Sequence, residues 1–363
     1  MAKRGIFIGN IRPFLRDRSL KSGWVLCIGA GTSLPMFPDW NSFVEQLVAK
    51  DIGDEKAHKL ADKLLSQYSP DALIQAAHDR LGCDAIQFFE ILSNELYRDL
   101  RARISTTEWE LFTQMLSARL GEYRRSQWIS YLQLIRNNHP SLSATKIAEI
   151  ISGTLGTYIA PTAIISFNAE PILPSLINAF SRINKLTTRE AGENLSQQFD
   201  LITHSISNRK SPRIPYYFIH GLLPIPSKVN KRRIIDSVDK LIFSESEYLQ
   251  MANTAFSWQS SVFLENSATQ SVVFIGVSLS DPNMRRWLSW VHINRMKELG
   301  TRYSFRGTST AHYWIAKQPD TASERLWIES SVEHLGVRLV WLKDWNQVGQ
   351  ALCSMLGLAI PSA

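Results

Sequence analysis

Six short apolar runs punctuate the chain, and four of them stop at a glycine, an asparagine or a histidine. Trp24 to Ile28 leads into Gly29, and Thr162 to Phe167 stops at Asn168. Pro215 to Ile219 stops at His220 and Gly221, and Ser271 to Ile275 stops at Gly276. His312 to Ala316 and Gly336 to Trp341 complete the series. Short apolar runs without polar alternation predict strands covered on both faces, as in a parallel sheet. Helix-compatible sequence fills the intervals. The expected architecture is therefore α/β: a doubly wound, mainly parallel, Rossmann-like sheet. Ligands of such sheets bind beyond the carboxyl ends of the strands. The four glycine or polar ends are expected to meet on that edge.

After the first run, Trp40, Phe43, Val44, Leu47 and Val48 recur at the spacing of one helix face. Over about 51–160 the patterns are helical and carry almost no strand signal; Ser143, for example, reads as the N-cap of a helix through Ile147, Ile150 and Ile151. The chain thus divides into an N-terminal segment, 1–22, and one domain over 23–363 with a large helical insertion at about 51–160. The stretch 171–213 reads as mostly polar and helix-compatible. Trp109, Trp128, Trp287, Trp290 and Trp341 are expected to be core or interface anchors. A chain of 363 residues buries a sizeable core.

No apolar run is long enough to span a membrane, and the basic N-terminus has neither a long apolar stretch nor a small-residue cleavage site. No membrane partner is expected. Cys27, Cys83 and Cys353 are the only cysteines, far apart, which argues against a disulfide framework or a four-cysteine zinc site and fits a cytoplasmic protein. The net charge of +7 is dispersed. Its tightest clusters are Arg12, Arg16, Arg18 and Lys21; Arg124 and Arg125; and Lys228, Lys231, Arg232 and Arg233. They read as solvated faces, with an anionic partner as the alternative, and direct nucleic-acid contact is left open.

Gly29, Ala30, Gly31, Thr32 and Ser33 lie between a strand and a helix. Glycines there let backbone approach a pyrophosphate, and the next helix offers its N-terminal dipole. Leu34 stands where a dehydrogenase fingerprint needs its third glycine, and no lysine follows as in a phosphate loop of the ATPase kind. The competing reading is a tight turn with no ligand. His220, before a glycine at the ligand edge, is the candidate base, with a structural histidine at a strand end as the competing reading. Asn168 has no titrating proton, so its role is orientation, or else it merely forms a turn. Gly276 and Ser278 read as ligand contacts, whereas Asp281 before Pro282 reads as a helix cap. His78, His292, His312 and His334 have no neighbours suggesting metal ligation.

Taken together, these blocks resemble the sirtuins in their bacterial sirtuin-like, zinc-free branch. The loop 29–33 followed by Pro38, Asp39 and Trp40 is similar to the NAD-binding start of that family. Ile164 to Asn168, with Glu170 where an aspartate is usual, is similar to its asparagine block, and Tyr217 to Gly221 to its histidine-glycine pair. Leu241 to Tyr248 and Phe274 to Pro282 are similar to two later blocks. The resemblance implies that NAD is the substrate and that Gly29, Ala30, Gly31, Thr32, Ser33, Asp39, Gly276 and Ser278 contact it. Asn168 and His220 are implied as the catalytic pair. Deacylases of the family carry a zinc ribbon of paired cysteines, which this chain cannot build. The resemblance therefore implies an NAD glycohydrolase, without zinc, of the kind that aborts phage infection. It also implies a homo-oligomer and a separate activating subunit, a translocase-type ATPase or an Argonaute-like protein. The alternatives are a non-catalytic NAD or ADP-ribose sensor gating a partner, and a zinc-free deacylase or ADP-ribosyltransferase.

Overall fold

The computed structural model describes residues 5–13, 23–118, 122–184, 199–205, 213–226, 241–254, 257–303 and 309–359. Eight parallel strands form one sheet: β1 (Ile6–Phe7), β2 (Trp24–Ile28), β3 (Ala163–Ser166), β4 (Phe199–Ile202), β5 (Ile214–Phe218), β6 (Ser271–Ile275), β7 (His312–Lys317) and β8 (Val337–Leu342). Their order across the sheet is β1-β8-β7-β6-β2-β3-β5-β4. Without the edge strands β1 and β4, this is the doubly wound Rossmann-like order, running outward from β2 in both directions. Its topological switch point lies between β2 and β6, so the crevice beyond their carboxyl ends is where a ligand is expected.

Every residue of β2 is buried. Its pleat sends Trp24, Leu26 and Ile28 to one core and Val25 and Cys27 to the other. The first face is covered by α1 (Trp40–Ile52), by the helices that follow it, by α9 (Ile172–Asn184) and by α14 (Val348–Leu356). Those following helices are α2 (Asp54–Leu65), α3 (Pro70–Leu81), α4 (Ala85–Leu96), α5 (Arg98–Arg103), α6 (Thr106–Leu116), α7 (Arg125–Asn138) and α8 (Ser143–Thr154). The second face is covered by α10 (Glu245–Asn253), α11 (Trp258–Thr269), α12 (Pro282–Tyr303) and α13 (Ala322–Glu333).

Two segments differ from the sequence expectation. Residues 172–184 are not a polar helix: every position from Ile172 to Ser181 in α9 is buried. Its serines and asparagine pack inside the fold rather than facing water; Ser175, for instance, meets the Tyr131 hydroxyl at 2.5 Å. Residues 199–202 form the edge strand β4, where Asp200 pairs with Arg213 at 3.3 Å. At the opposite edge Ile6 and Phe7, within the N-terminal segment, extend the sheet beside β8. Of the basic clusters, Arg16, Arg18, Lys21, Lys228, Lys231, Arg232 and Arg233 lie outside the described residues. Trp128, Trp287 and Trp341 are core residues, Trp109 is half-buried against the core, and Trp290 is exposed. Among the described residues no helix is long and apolar enough to cross a membrane.

Candidate active site

At the switch point the two glycine turns lock into each other. Gly29 N donates to Ile275 O at 3.1 Å, and Gly31 N donates to Gly276 O at 3.0 Å. A Cβ on Gly29 would stand 2.6 Å from Gly276 O, and one on Gly31 would stand 2.9 Å from Gly276 Cα. A Cβ on Gly276, whose φ is +67°, would stand 2.4 Å from Thr32 N. These three glycines join the ends of β2 and β6 backbone to backbone, which no side chain permits. Thr32 N and Ser33 N donate back to Gly29 O and Ala30 O. The amides of Gly29, Gly31, Thr32 and Ser33 are thus paired within the protein. Ala30 and Ser33 are the loop residues that face the adjacent pocket.

That pocket is open to solvent, and its empty space, solvent included, comes to about 420 Å³. Phe37, Trp40, Phe43, Phe167 and Phe243 give it aromatic walls, and Ser33, Asn168 and Glu170 supply polar groups. Asn168 Nδ2 donates to Ser33 Oγ at 2.9 Å, to Glu170 Oε1 at 2.9 Å and to Thr32 Oγ1 at 3.3 Å. Ser33 Oγ in turn donates to Glu170 Oε1. Glu170 Oε2 accepts the Ile172 amide at 2.7 Å, fixing the carboxyl at the start of α9. Burial pushes the Glu170 carboxyl up to about 7, against the opposing pull of its donors Ser33, Ile172 and Asn168. Among the described residues Asn168 Oδ1 is buried and unpartnered. A buried carbonyl oxygen without a donor is costly, so it marks a position where a ligand donor is expected. Asp39 also lines the pocket, but its carboxylate is engaged as the N-cap of α1, accepting Ser42 N at 2.8 Å.

His220 follows β5 and is 4% exposed. It stands behind the aromatic wall: the Phe167 ring meets it edge-on at 5.0 Å and the Trp40 ring at 6.3 Å. Its Nε2 is 2.9 Å from the Tyr248 hydroxyl, which donates to Asp281 Oδ2 at 2.7 Å. Asp281 Oδ1 caps α12 by accepting Asn283 N at 2.7 Å and Met284 N at 2.9 Å. Burial drives the His220 imidazolium down to about 4, although Asp281 and Asp71 both favour its charge. The Tyr248 phenol is held well above its ordinary value by burial and by Asp281, so it stays protonated.

The structure therefore brings Ala30, Ser33, Asp39 and Asn168 to the pocket, with Gly29, Gly31, Thr32 and Gly276 in the backbone beneath it. It sets His220 one ring behind. Ser278 is on the outside: it is exposed, and its Oγ lies 2.6 Å from Ser280 Oγ. Leu279 between them is buried at a φ of +52°, a backbone conformation that turns both serines outward. Glu170, Trp40, Phe167 and Tyr248 belong to the site without having been singled out as site residues from the sequence. Glu170 carried a signal, as the acid two residues after Asn168. Tyr248 carried only its place at the end of the Leu241–Tyr248 block, and its partners lie 28 and 33 residues away.

Among the described residues no group of three or more His, Cys, Asp or Glu is placed to hold a metal ion. No curated protein matches the chain at a significant level. Residues 176–335 match the family model described as a SIR2-like domain, a kind of domain that uses NAD. The match takes in His220, Tyr248 and Asp281; the glycine loop and Asn168 precede it.

Proposed function

We propose that the chain hydrolyses NAD at the nicotinamide–ribose bond, releasing nicotinamide and ADP-ribose. The observation that carries this reading is the pocket beside the switch point, beyond the ends of β2 and β3, with aromatic walls for a flat base and Asn168 Oδ1, unpartnered among the described residues, for a hydroxyl or amide donor. Nicotinamide is cationic in NAD and leaves as a neutral base, so no strong general acid is needed. Water adds to the ribose carbon, the carbon–nitrogen electrons pass to nicotinamide, and the water proton passes to His220, directly or through a ribose hydroxyl, once the Trp40 and Phe167 rings in front of it give way. Asn168 holds the ribose, and Glu170 holds Asn168 and Ser33. The site's task is to stabilise a cationic transition state.

A homo-oligomer, a separate activating subunit and a part in aborting phage infection rest on the family resemblance. They fit the need to restrain an enzyme that destroys NAD. The placement of His220 behind Trp40 and Phe167 favours, as a second reading, a module that binds NAD without turning it over. Purified full chain, with and without a translocase-type ATPase or Argonaute-like partner, should deplete NAD and release free ADP-ribose. His220→Ala and Asn168→Ala should each lower that rate about 100-fold or more. Undiminished NAD loss in either variant refutes the assignment; tight binding with no turnover supports the sensor.

A further inference from the structure

A proton chain of fixed direction runs through His220, Tyr248 and Asp281. An ionised carboxylate has oxygens that only accept. Asp281 spends Oδ1 on the amides of Asn283 and Met284, and Oδ2 accepts the Tyr248 hydroxyl at 2.7 Å. The phenol proton is thereby committed to Asp281, and the phenol oxygen has only a lone pair to offer His220 Nε2 at 2.9 Å. For that contact to be a hydrogen bond, Nε2 must carry the imidazole proton. The other ring nitrogen, Nδ1, is buried and has no partner among the described residues.

We infer that Asp281, acting through Tyr248, holds His220 in its Nε2–H form and so makes Nδ1 the nitrogen that accepts a proton from the reacting water or ribose. Tyr248 and Asp281 are positioning residues here. The helix cap makes the device rigid, because the carboxylate that directs the chain is anchored at the first turn of α12. The charges felt by the ring are those of Asp281 and of Asp71 on α3. Burial keeps Tyr248 from ionising, so the middle of the chain does not drop out at neutral pH. The catalytic consequence rests on the NAD-cleaving reading, whereas the choice of protonated nitrogen does not.

Nitrogen NMR of the full chain labelled in histidine distinguishes the two ring forms, with the His220 signals identified by their loss in His220→Gln. The wild type should show a protonated Nε2 and a bare Nδ1. Asp281→Asn keeps an oxygen for the α12 amides but presents NH2 to Tyr248. The phenol then turns to donate to Nε2, and the proton moves to Nδ1. NAD cleavage should fall about 100-fold or more in kcat, with KM nearly unchanged. Tyr248→Phe, which leaves the cap untouched, should give a mixture of both forms and a smaller loss. A protonated Nδ1 in the wild type, or an unchanged ring form in Asp281→Asn, overturns the inference. The expected ring forms in a chain that leaves NAD intact uphold the proton chain and refute the proposed reaction.

Discussion

Two buried groups in this site respond to pH with opposite sign. Glu170 is raised by burial from 4.5 to about 7. Between those values the folded chain keeps a proton that the unfolded chain releases, so the stability it contributes is present below 4.5 and lost as pH rises through 7. His220 is lowered by burial from 6.5 to about 4. In that window the unfolded chain takes up a proton that the folded chain refuses. Its contribution is present above 6.5 and lost as pH falls through 4. Each window spans up to roughly 3 kcal/mol at 1.36 kcal/mol per unit, so in the wild type the two slopes largely cancel between about 4.5 and 6.5. Removing one partner exposes the other. Urea midpoints of His220→Gln should decline steadily from pH 4.5 to 7, and those of Glu170→Gln should climb from pH 4 to 6.5. Parallel pH profiles for the two variants would contradict both assignments. The same depression keeps His220 neutral at every pH above about 5, so loss of NAD cleavage on the acid side should set in near pH 4 rather than at the ordinary histidine value.

Among the elements, the β2 turn and the β6 turn are one unit, because each supplies the space that the other needs. Gly276→Ala places a methyl against Thr32 N and forces an alanine to a φ of +67°. It should cost about 1–3 kcal/mol for the strain alone, seen as a lower denaturant midpoint, and should weaken NAD binding by shifting Ser33. Gly300→Ala in α12 is the contrast: its Cβ would meet nothing within 4 Å among the described residues. There the exchange should stabilise by about 0.5–1 kcal/mol. Equal effects at the two positions would show that the switch-point packing does not constrain the glycines. This pairing also marks the limit of what residue patterns disclose. The runs ending at Gly29, Asn168, His220 and Gly276 were legible because an uninterrupted apolar strand ending in a polar or flexible residue is a local signal. That Gly29 and Gly31 serve Gly276 as much as any phosphate was not legible, since it depends on which strands become neighbours. Strand β4 was hidden for a related reason: four residues interrupted by Asp200 carry no apolar run. The buried α9 was masked by its serines and asparagine, and the contact of Ser175 with Tyr131 of α7 is one that no local pattern discloses.

At the scale of the whole molecule, the helices between α1 and β3 are not an appendage. Trp24, Leu26 and Ile28 of β2 share one hydrophobic core with Phe88, Phe89 and Leu92 of α4, Trp128 and Tyr131 of α7, and Ile147 and Ile151 of α8. They also reach the candidate site. Tyr97 donates to Leu223 O at 3.2 Å and Ser93 donates to Pro224 O, holding the segment that leaves His220, while Gln75 of α3 accepts from Ser246 of α10 at 2.8 Å. Without these helices one face of the sheet would keep only α1, α9 and α14 as cover, and a parallel sheet needs both faces covered. The chain is therefore expected to unfold as one cooperative unit despite its length. Hydrogen exchange should assign α4, α7 and α8 the same opening free energy as β2 and β3. Thermal melts followed by far-ultraviolet and near-ultraviolet dichroism should coincide. Removing residues 54–154 should leave an insoluble chain rather than a smaller enzyme. If instead those helices exchanged and melted well before the strands, they would form a separable lid. The grip of Tyr97 and Ser93 on the segment after His220 would then be a point at which an activating subunit opens the site.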